Sequence, residues 1–338
     1  MNLIITSQDA GGSLHLVPLL KFLKESYREI SILVTAKDPA FKILQKNKVN
    51  VVKVNGYKNI STTINDFKPN FILVSLSSFY DLDCIALEIA KEKNIPSGCI
   101  QDFWGSIGFF QKNNLPNYFF VENMLAKNLT LQNVDEKCKV IEVGLTKQHI
   151  QNVPKKLESS KKIIAVIGQP SIIPGVEDTM IEIFKALDNQ LSNDFEIFYK
   201  PHPSSLPLPD NTEKILSDYK IVAFDGQLND LFISAALIIN IFSTVLIDFL
   251  QFRQFTRCNG NIISCIWNNK LKEHVAESDI QVTKFADKFF EDKKSFQKFL
   301  SNYRNPFKLG YNRDLPLESM SKKKSYHSIA KIILENKK

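Results

Sequence analysis

Two turns of this 338-residue chain have the residue types to hold an anion: Lys200-Pro-His-Pro203 and Asn240-Ile-Phe-Ser-Thr244. Lys200 and His202 end the run FEIFYK on a proline-stiffened turn. An ammonium and an imidazole held there lose little entropy when they donate to a phosphate. Ser243 and Thr244 interrupt the apolar run ALIINIF just before an amphipathic stretch, so hydroxyls and free backbone N–H groups meet at a helix start. Alone, such a Ser-Thr pair is a helix cap. If the two runs are parallel strands of one sheet, however, both turns lie at its carboxyl edge, where open α/β sheets take ligands. Lys200, His202, Pro203, Ser243 and Thr244 would then surround one phosphate-sized group. Gln169 of Gly168-Gln-Pro-Ser171 and the Asp225-Gly226 pair would border it.

A second set of residues offers proton transfer. Asp9-Ala-Gly-Gly12 follows the first apolar run and precedes a helix expected to start near Ser13. Gly11 and Gly12 would let the backbone approach a ligand, and Asp9 would either project from the strand end or cap the helix. Asp102, in Gln101-Asp-Phe-Trp-Gly105, ends another run of the same half and is a second general-base candidate. Glu122 is a third carboxylate at this edge. The aromatics Phe103, Trp104 and Ile107-Gly-Phe-Phe110 read either as a sugar-stacking wall or as core. His15, flanked by apolar residues, reads as a packing histidine sooner than as a cleft residue.

These residues need elements to place them. NLIIT, ISILVTA, VNVVKV, NFILVSL, SGCIQDF, NYFFVEN and KVIEV read as short buried strands separated by amphipathic helices. The pattern lapses over Gln148–Lys162, the expected linker. It then resumes with KIIAVIG, DFEIFYK, KIVAFD and LIINIFS as strands. After Arg257 the signal weakens, leaving helices over Asp287–Tyr303 and Lys322–Lys338. Strand–helix alternation of this kind gives α/β, doubly wound parallel sheets. The expected architecture is two Rossmann-like domains facing a cleft: 1–150 on the acceptor side, 161–320 on the nucleotide side, and 321–338 as a C-terminal helix.

Composition excludes several classes. Hydrophobic residues at 44% and charged residues at 23% suit a soluble globular chain, and no run approaches the roughly twenty apolar residues of a membrane span. The start reads as a strand rather than a signal peptide, which places the protein in the cytoplasm. Five cysteines and five histidines are scattered without ligand spacing, so neither a metal nor a cofactor is expected. The net charge of +7 is spread thinly and lacks a basic face interleaved with aromatics, which argues against nucleic acid. An anionic small molecule, an acidic saccharide or a peripheral contact with the cytoplasmic membrane face remains.

With His202-Pro203 and Ser243-Thr244 in these positions, the chain resembles GT-B-type glycosyltransferases. It is most similar to bacterial sialyltransferases, polysialyltransferases and capsule transferases that use CMP-activated acidic sugars. The resemblance implies an inverting, metal-independent transfer to a surface glycan or glycoprotein. His202 and the hydroxyls would hold the donor phosphate, and an N-domain carboxylate would serve as base. Those families carry an Asp-Asp/Glu-Gly base motif. Here the nearest segments begin at Asp9 and Asp102, taken in that order. CDP-glycerol phosphotransferases share the His-Pro and Ser-Ser turns, and GGSLHLVPLL resembles the first loop and helix of the lipid-linked N-acetylglucosaminyltransferase of peptidoglycan synthesis. Nucleotide-sugar 2-epimerases and hydrolases share the fold. An epimerase or hydrolase, and a non-catalytic sugar- or nucleotide-binding partner, are the alternatives to transfer.

Overall fold

The computed structural model describes residues 1–75, 81–102, 104–105, 107, 114–144, 146–147, 154–191, 194–205, 208, 210–256, 258–277, 282–303 and 325–336. The chain divides into two compact units, Met1–Gln148 with Pro316–Lys338, and His149–Leu315. Residues 148–153 of the expected linker lie outside the described residues, as do Phe103, 108–110 and the lysines 322–324.

In the first unit β1 (Asn2–Ser7), α1 (Ala10–Ser26), β2 (Ser31–Ala36), α2 (Ala40–Lys46), β3 (Val52–Lys53), α3 (Gly56–Phe67), β4 (Phe71–Ser75) and α4 (Leu82–Glu92) come first. They are followed by β5 (Ser97–Ile100), β6 (Tyr118–Val121), α5 (Met124–Leu131) and β7 (Lys139–Glu142). The seven strands form one sheet in the order β3-β2-β1-β4-β5-β6-β7, and all pairings are parallel. A parallel sheet is covered on both faces, which is why these strands read as continuous apolar runs. Leu16, Leu19, Leu20 and Leu23 repeat on one face of α1 and are buried in a core with Leu3, Ile5 and Phe71. Burial of each such side chain stabilises by about 1.5–3 kcal/mol.

The second unit runs β8 (Lys162–Ile167), α6 (Val176–Leu191), β9 (Phe195–Lys200), α7 (Asp210–Asp218), β10 (Val222–Ala223), α8 (Leu228–Ser234), β11 (Ala235–Asn240) and α9 (Val245–Thr256). It then continues through β12 (Asn261–Cys265), α10 (Asn269–Glu277), β13 (Lys288–Phe290) and α11 (Lys293–Asn302). Its sheet is β10-β9-β8-β11-β12-β13, again parallel throughout. The chain closes with α12 (Ser325–Glu335), which belongs to the first unit and not to the second unit that precedes it. Ile329, Ala330 and Ile333 bury completely in the core around α1.

Several expectations change at the level of elements. The first helix starts at Ala10, not Ser13, so Gly11 and Gly12 lie in its first turn. Asp9 holds the cap position, but its side chain makes no capping hydrogen bond. Sheet edges shrink the predicted strands VNVVKV and KIVAFD to two residues each, because an edge strand keeps only the pairs its one neighbour offers. Past Arg257, β12, α10 and β13 exist where the sequence pattern fades, and the expected helix over Asp287–Tyr303 is a strand followed by α11. Arg253 holds this region by donating twice to the buried Asp287 carboxylate, at 2.7 and 3.1 Å. Cys84, Cys99, Cys138 and Cys265 are buried and form no disulfide, and burial pushes the Cys84 and Cys138 thiols up to about 12.

Candidate functional site

In the first unit the parallel sheet brings Asp9 after β1, Asp102 after β5 and Glu122 after β6 to one edge. They are not equivalent. Asp102 Oδ1 lies 2.9 Å from His15 Nε2, and His15 Nδ1 lies 2.6 Å from the hydroxyl of Thr146. Asp102 is 7% exposed and His15 is 2% exposed. The other carboxylate oxygen points at α1: a Cβ built on Gly11 would sit 2.0 Å from Asp102 Oδ2. Gly11 therefore admits the carboxylate, and His15 lies one helical turn further along the same helix. Here is a carboxylate oriented by an imidazole, the arrangement in which a base is fixed by a third group.

The flanking residues build walls. Glu122, 6% exposed, accepts the indole N–H of the buried Trp104 at 3.1 Å. That places Trp104 in the core, while Phe103 and 108–110, the rest of the expected aromatic wall, lie outside the described residues. Asp83, fully buried at the start of α4, accepts the Thr6 hydroxyl at 2.5 Å and the Gln8 N–H at 3.2 Å. These bonds fix the segment between β1 and α1 on which Asp9 sits. A carboxylate so placed is buried at a cost repaid by these donors, with a geometry set before any ligand arrives.

In the second unit β9, β8 and β11 are consecutive, so their carboxyl ends form one row of turns. His202 follows β9, Gln169 follows β8, and Asn240 to Thr244 follow β11. With neighbouring strands about 4.8 Å apart, a group over β8 is within reach of both outer turns. Gly168 makes the row tight, since a Cβ there would meet the His202 nitrogen at 2.7 Å. Its own N–H donates to Lys200 C=O at 2.8 Å. The turn at His202 closes through Ser205 N–H to His202 C=O at 2.9 Å, over a 3₁₀ turn that begins at Pro203.

Asn240 organises the third turn. Its Oδ1 accepts the Ser243 N–H at 3.1 Å, and its amide donates to Ser243 C=O at 3.3 Å. Gln169 Nε2 approaches the same Oδ1 at 3.5 Å. Ser243 Oγ accepts the Val245 N–H at 3.2 Å, so that hydroxyl serves the start of α9. Thr244 is 9% exposed and its carbonyl accepts the N–H groups of Ile247 and Asp248.

Two expected donors behave differently from the sequence reading. Burial pushes the His202 imidazole down to about 4, so the ring is neutral near pH 7 and offers an N–H rather than a positive charge. Lys200 donates to Gly226 C=O at 2.8 Å and to Phe224 C=O at 3.4 Å, with its ammonium 5.5 Å over the Phe224 ring. Its charge ties β9 to the turn after β10. Gly226 thus contributes a carbonyl to this tie, while Asp225 is exposed.

Thr146 and the side chain of Asn240 are functional candidates that motif reasoning passed over, and His15, read from the sequence as a packing histidine, bonds Asp102. For His15 the signal was its position, one turn past a glycine on the first helix. Thr146 and Asn240 have no comparable mark. Among the described residues no three His, Cys, Asp or Glu side chains gather as metal ligands, and no helix is long and apolar enough to cross a membrane.

No family model matches this chain, and no curated protein sequence matches it. Solved structures do. The S. aureus MnaA–UDP co-structure is 13% identical with a TM-score of 0.71, covering 99% of this chain and 97% of that one. The UDP-GlcNAc 2-epimerase from Neisseria meningitidis bound to UDP-GlcNAc is 14% identical with a TM-score of 0.64, covering 99% of each chain. Acinetobacter baumannii MurG is 10% identical with a TM-score of 0.60 and the same coverage. At such identities the likeness is one of fold. The fold is GT-B, shared by 2-epimerases and glycosyltransferases.

Proposed function

We propose that this chain breaks the anomeric C1–O bond of a UDP-sugar and acts as a 2-epimerase or hydrolase. The observation that carries the reading is the Asp102–His15 pair, 2.9 Å apart against Gly11. The fold-level likeness to two proteins whose structures hold UDP or UDP-GlcNAc supports the choice of nucleotide. Asp102 is placed ahead of Asp9 as the base because the His15 imidazole orients it. The diphosphate belongs at the row of turns bearing Gln169, His202 and Ser243-Thr244. Neutral N–H and O–H donors there stabilise charge as it grows on the leaving group.

The step balances simply. Asp102 takes the proton from C2 of the sugar, the electron pair forms a C1=C2 bond, and the C1–O pair leaves with UDP. Once the Asp102 proton has passed to solvent, UDP returns to C1 as a proton reaches C2 on its opposite face. The product is the C2 epimer. Water adding at C1 instead gives the free sugar.

The test is incubation with UDP-GlcNAc in D₂O without any acceptor, followed by proton NMR. Deuterium at C2 of an epimerised or free sugar is the expected result, and Asp102→Asn should lower its rate at least about 100-fold. Intact donor, or UDP release only when a glycan is added and without C2 exchange, sinks the reading. The His202-Pro203 and Ser243-Thr244 turns favour a second reading, transfer of an acidic sugar from a CMP donor. Acceptor-dependent CMP release would establish it.

A further inference from the structure

We propose that Thr146 and Tyr326 are positioning residues for the Asp102–His15 pair, so that the C-terminal helix completes the reactive end of the first unit. This rests on Asp102 being the base, but its structural half can be tested without that premise.

The connection is a continuous run of hydrogen bonds. The Tyr326 hydroxyl donates to the Thr146 carbonyl at 2.9 Å across 180 residues of sequence. The Thr146 side chain meets His15 Nδ1 at 2.6 Å, and His15 Nε2 meets Asp102 Oδ1 at 2.9 Å. Thr146 is 1% exposed. The helix that carries Tyr326 is itself fixed, with Ile329, Ala330 and Ile333 fully buried and Phe22 of α1 packed on Tyr326 and His327, at 5.8 and 4.5 Å between rings. Tyr326 and His15 are therefore referred to the same helix, α1, from opposite ends of the chain.

Chemistry dictates the direction of the run. An ionised carboxylate only accepts, so His15 Nε2 must carry a hydrogen to bond Asp102. In the neutral ring Nδ1 is then an acceptor, which the Thr146 hydroxyl satisfies by donating. Asp102 thereby sets the Nε2–H tautomer, and the Thr146 hydroxyl, by donating to Nδ1, holds the ring in the orientation that grips the carboxylate. Burial pushes the Tyr326 phenol up to about 12, so it remains a donor throughout the working range and holds the Thr146 backbone in register. The space Gly11 leaves by lacking a side chain is occupied by Asp102 Oδ2.

The experiment is nitrogen-15 NMR of histidine-labelled protein at pH 8, with His15 assigned by His15→Gln. Wild type should show His15 as the Nε2–H tautomer. Thr146→Val should take the donor from Nδ1 and shift its nitrogen signal as the ring loses its fixed orientation, and Thr146→Ser should restore the wild-type signals. Tyr326→Phe, which removes one hydroxyl from a packed ring, should broaden or shift the His15 signals and lower kcat about 10-fold at unchanged KM. An Nδ1–H or doubly protonated ring in wild type overturns the proposal. So does a ring indifferent to Thr146→Val or, should that variant not fold, to Tyr326→Phe. If the ring signals respond as expected while Asp102→Asn keeps full turnover, the positioning run stands and the assignment of Asp102 as base fails.

Discussion

Gly11 shows how much one residue can decide. Alanine is the better helix former by about 1 kcal/mol, so Gly11→Ala would ordinarily stabilise the first turn of α1. Here its Cβ would meet Asp102 Oδ2 at 2.0 Å, so the carboxylate that bonds His15 must shift. Gly11→Ala should therefore retain a melting temperature close to wild type and lose most turnover; full activity would show that Asp102 has no fixed place in the reaction. His202 gives a second residue-scale prediction. Its folded pKa near 4 lies below the ordinary value of 6.5, so the unfolded chain takes up a proton that the folded chain refuses as the pH falls through that window. This contribution to stability is intact above pH 6.5 and declines toward pH 4, reaching a loss of about 2 kcal/mol at pH 5. Denaturant titrations at pH 7 and pH 5 should show that loss, and His202→Gln should reduce it.

At the scale of elements, the turn after β11 is built by Asn240 more than by the hydroxyls that follow it. Asn240 is fully buried and bonds both the N–H and the C=O of Ser243. Asn240→Leu keeps the volume but strands those groups, a loss of about 1–3 kcal/mol in stability. Because the same turn is assigned to the diphosphate, UDP affinity should drop further than with Lys200→Ala, whose ammonium is engaged with Gly226 and Phe224. Calorimetric titration with UDP checks the order. Equal losses from the two variants would mean that Lys200 reaches the phosphate after all.

For the whole molecule, the relevant measurement is which nucleotide the native state prefers. A ligand that binds only the folded chain stabilises it by about 2.7 kcal/mol at 100 times its Kd. UDP and UDP-GlcNAc should raise the melting temperature by several degrees, with CMP giving a smaller shift, and EDTA should leave the UDP shift unchanged. A larger shift with CMP would restore the acidic-sugar reading that the His-Pro and Ser-Thr turns suggest.

Much of this was legible from residues alone. Short apolar runs such as FILVS and ALIIN, set between helix-period stretches, read as strands covered on both faces, and the parallel strands of a sheet send their carboxyl ends to one edge. The membership of the two edges, Asp9 and Asp102 in the first unit and Gln169, His202 and Ser243-Thr244 in the second, followed from connectivity. Partnership did not. His15 meets Asp102 across 87 residues and Thr146 across 131, and nothing local in the sequence encodes side-chain direction over such separations. Tertiary packing also put Gly11 inside a helix, turned Lys200 onto backbone carbonyls, and returned the last helix to the first unit. Strand–helix alternation is a property of hydrophobic pattern, which a chain displays residue by residue. The grip of an imidazole on a carboxylate is a property of distance, which exists only once the core has closed.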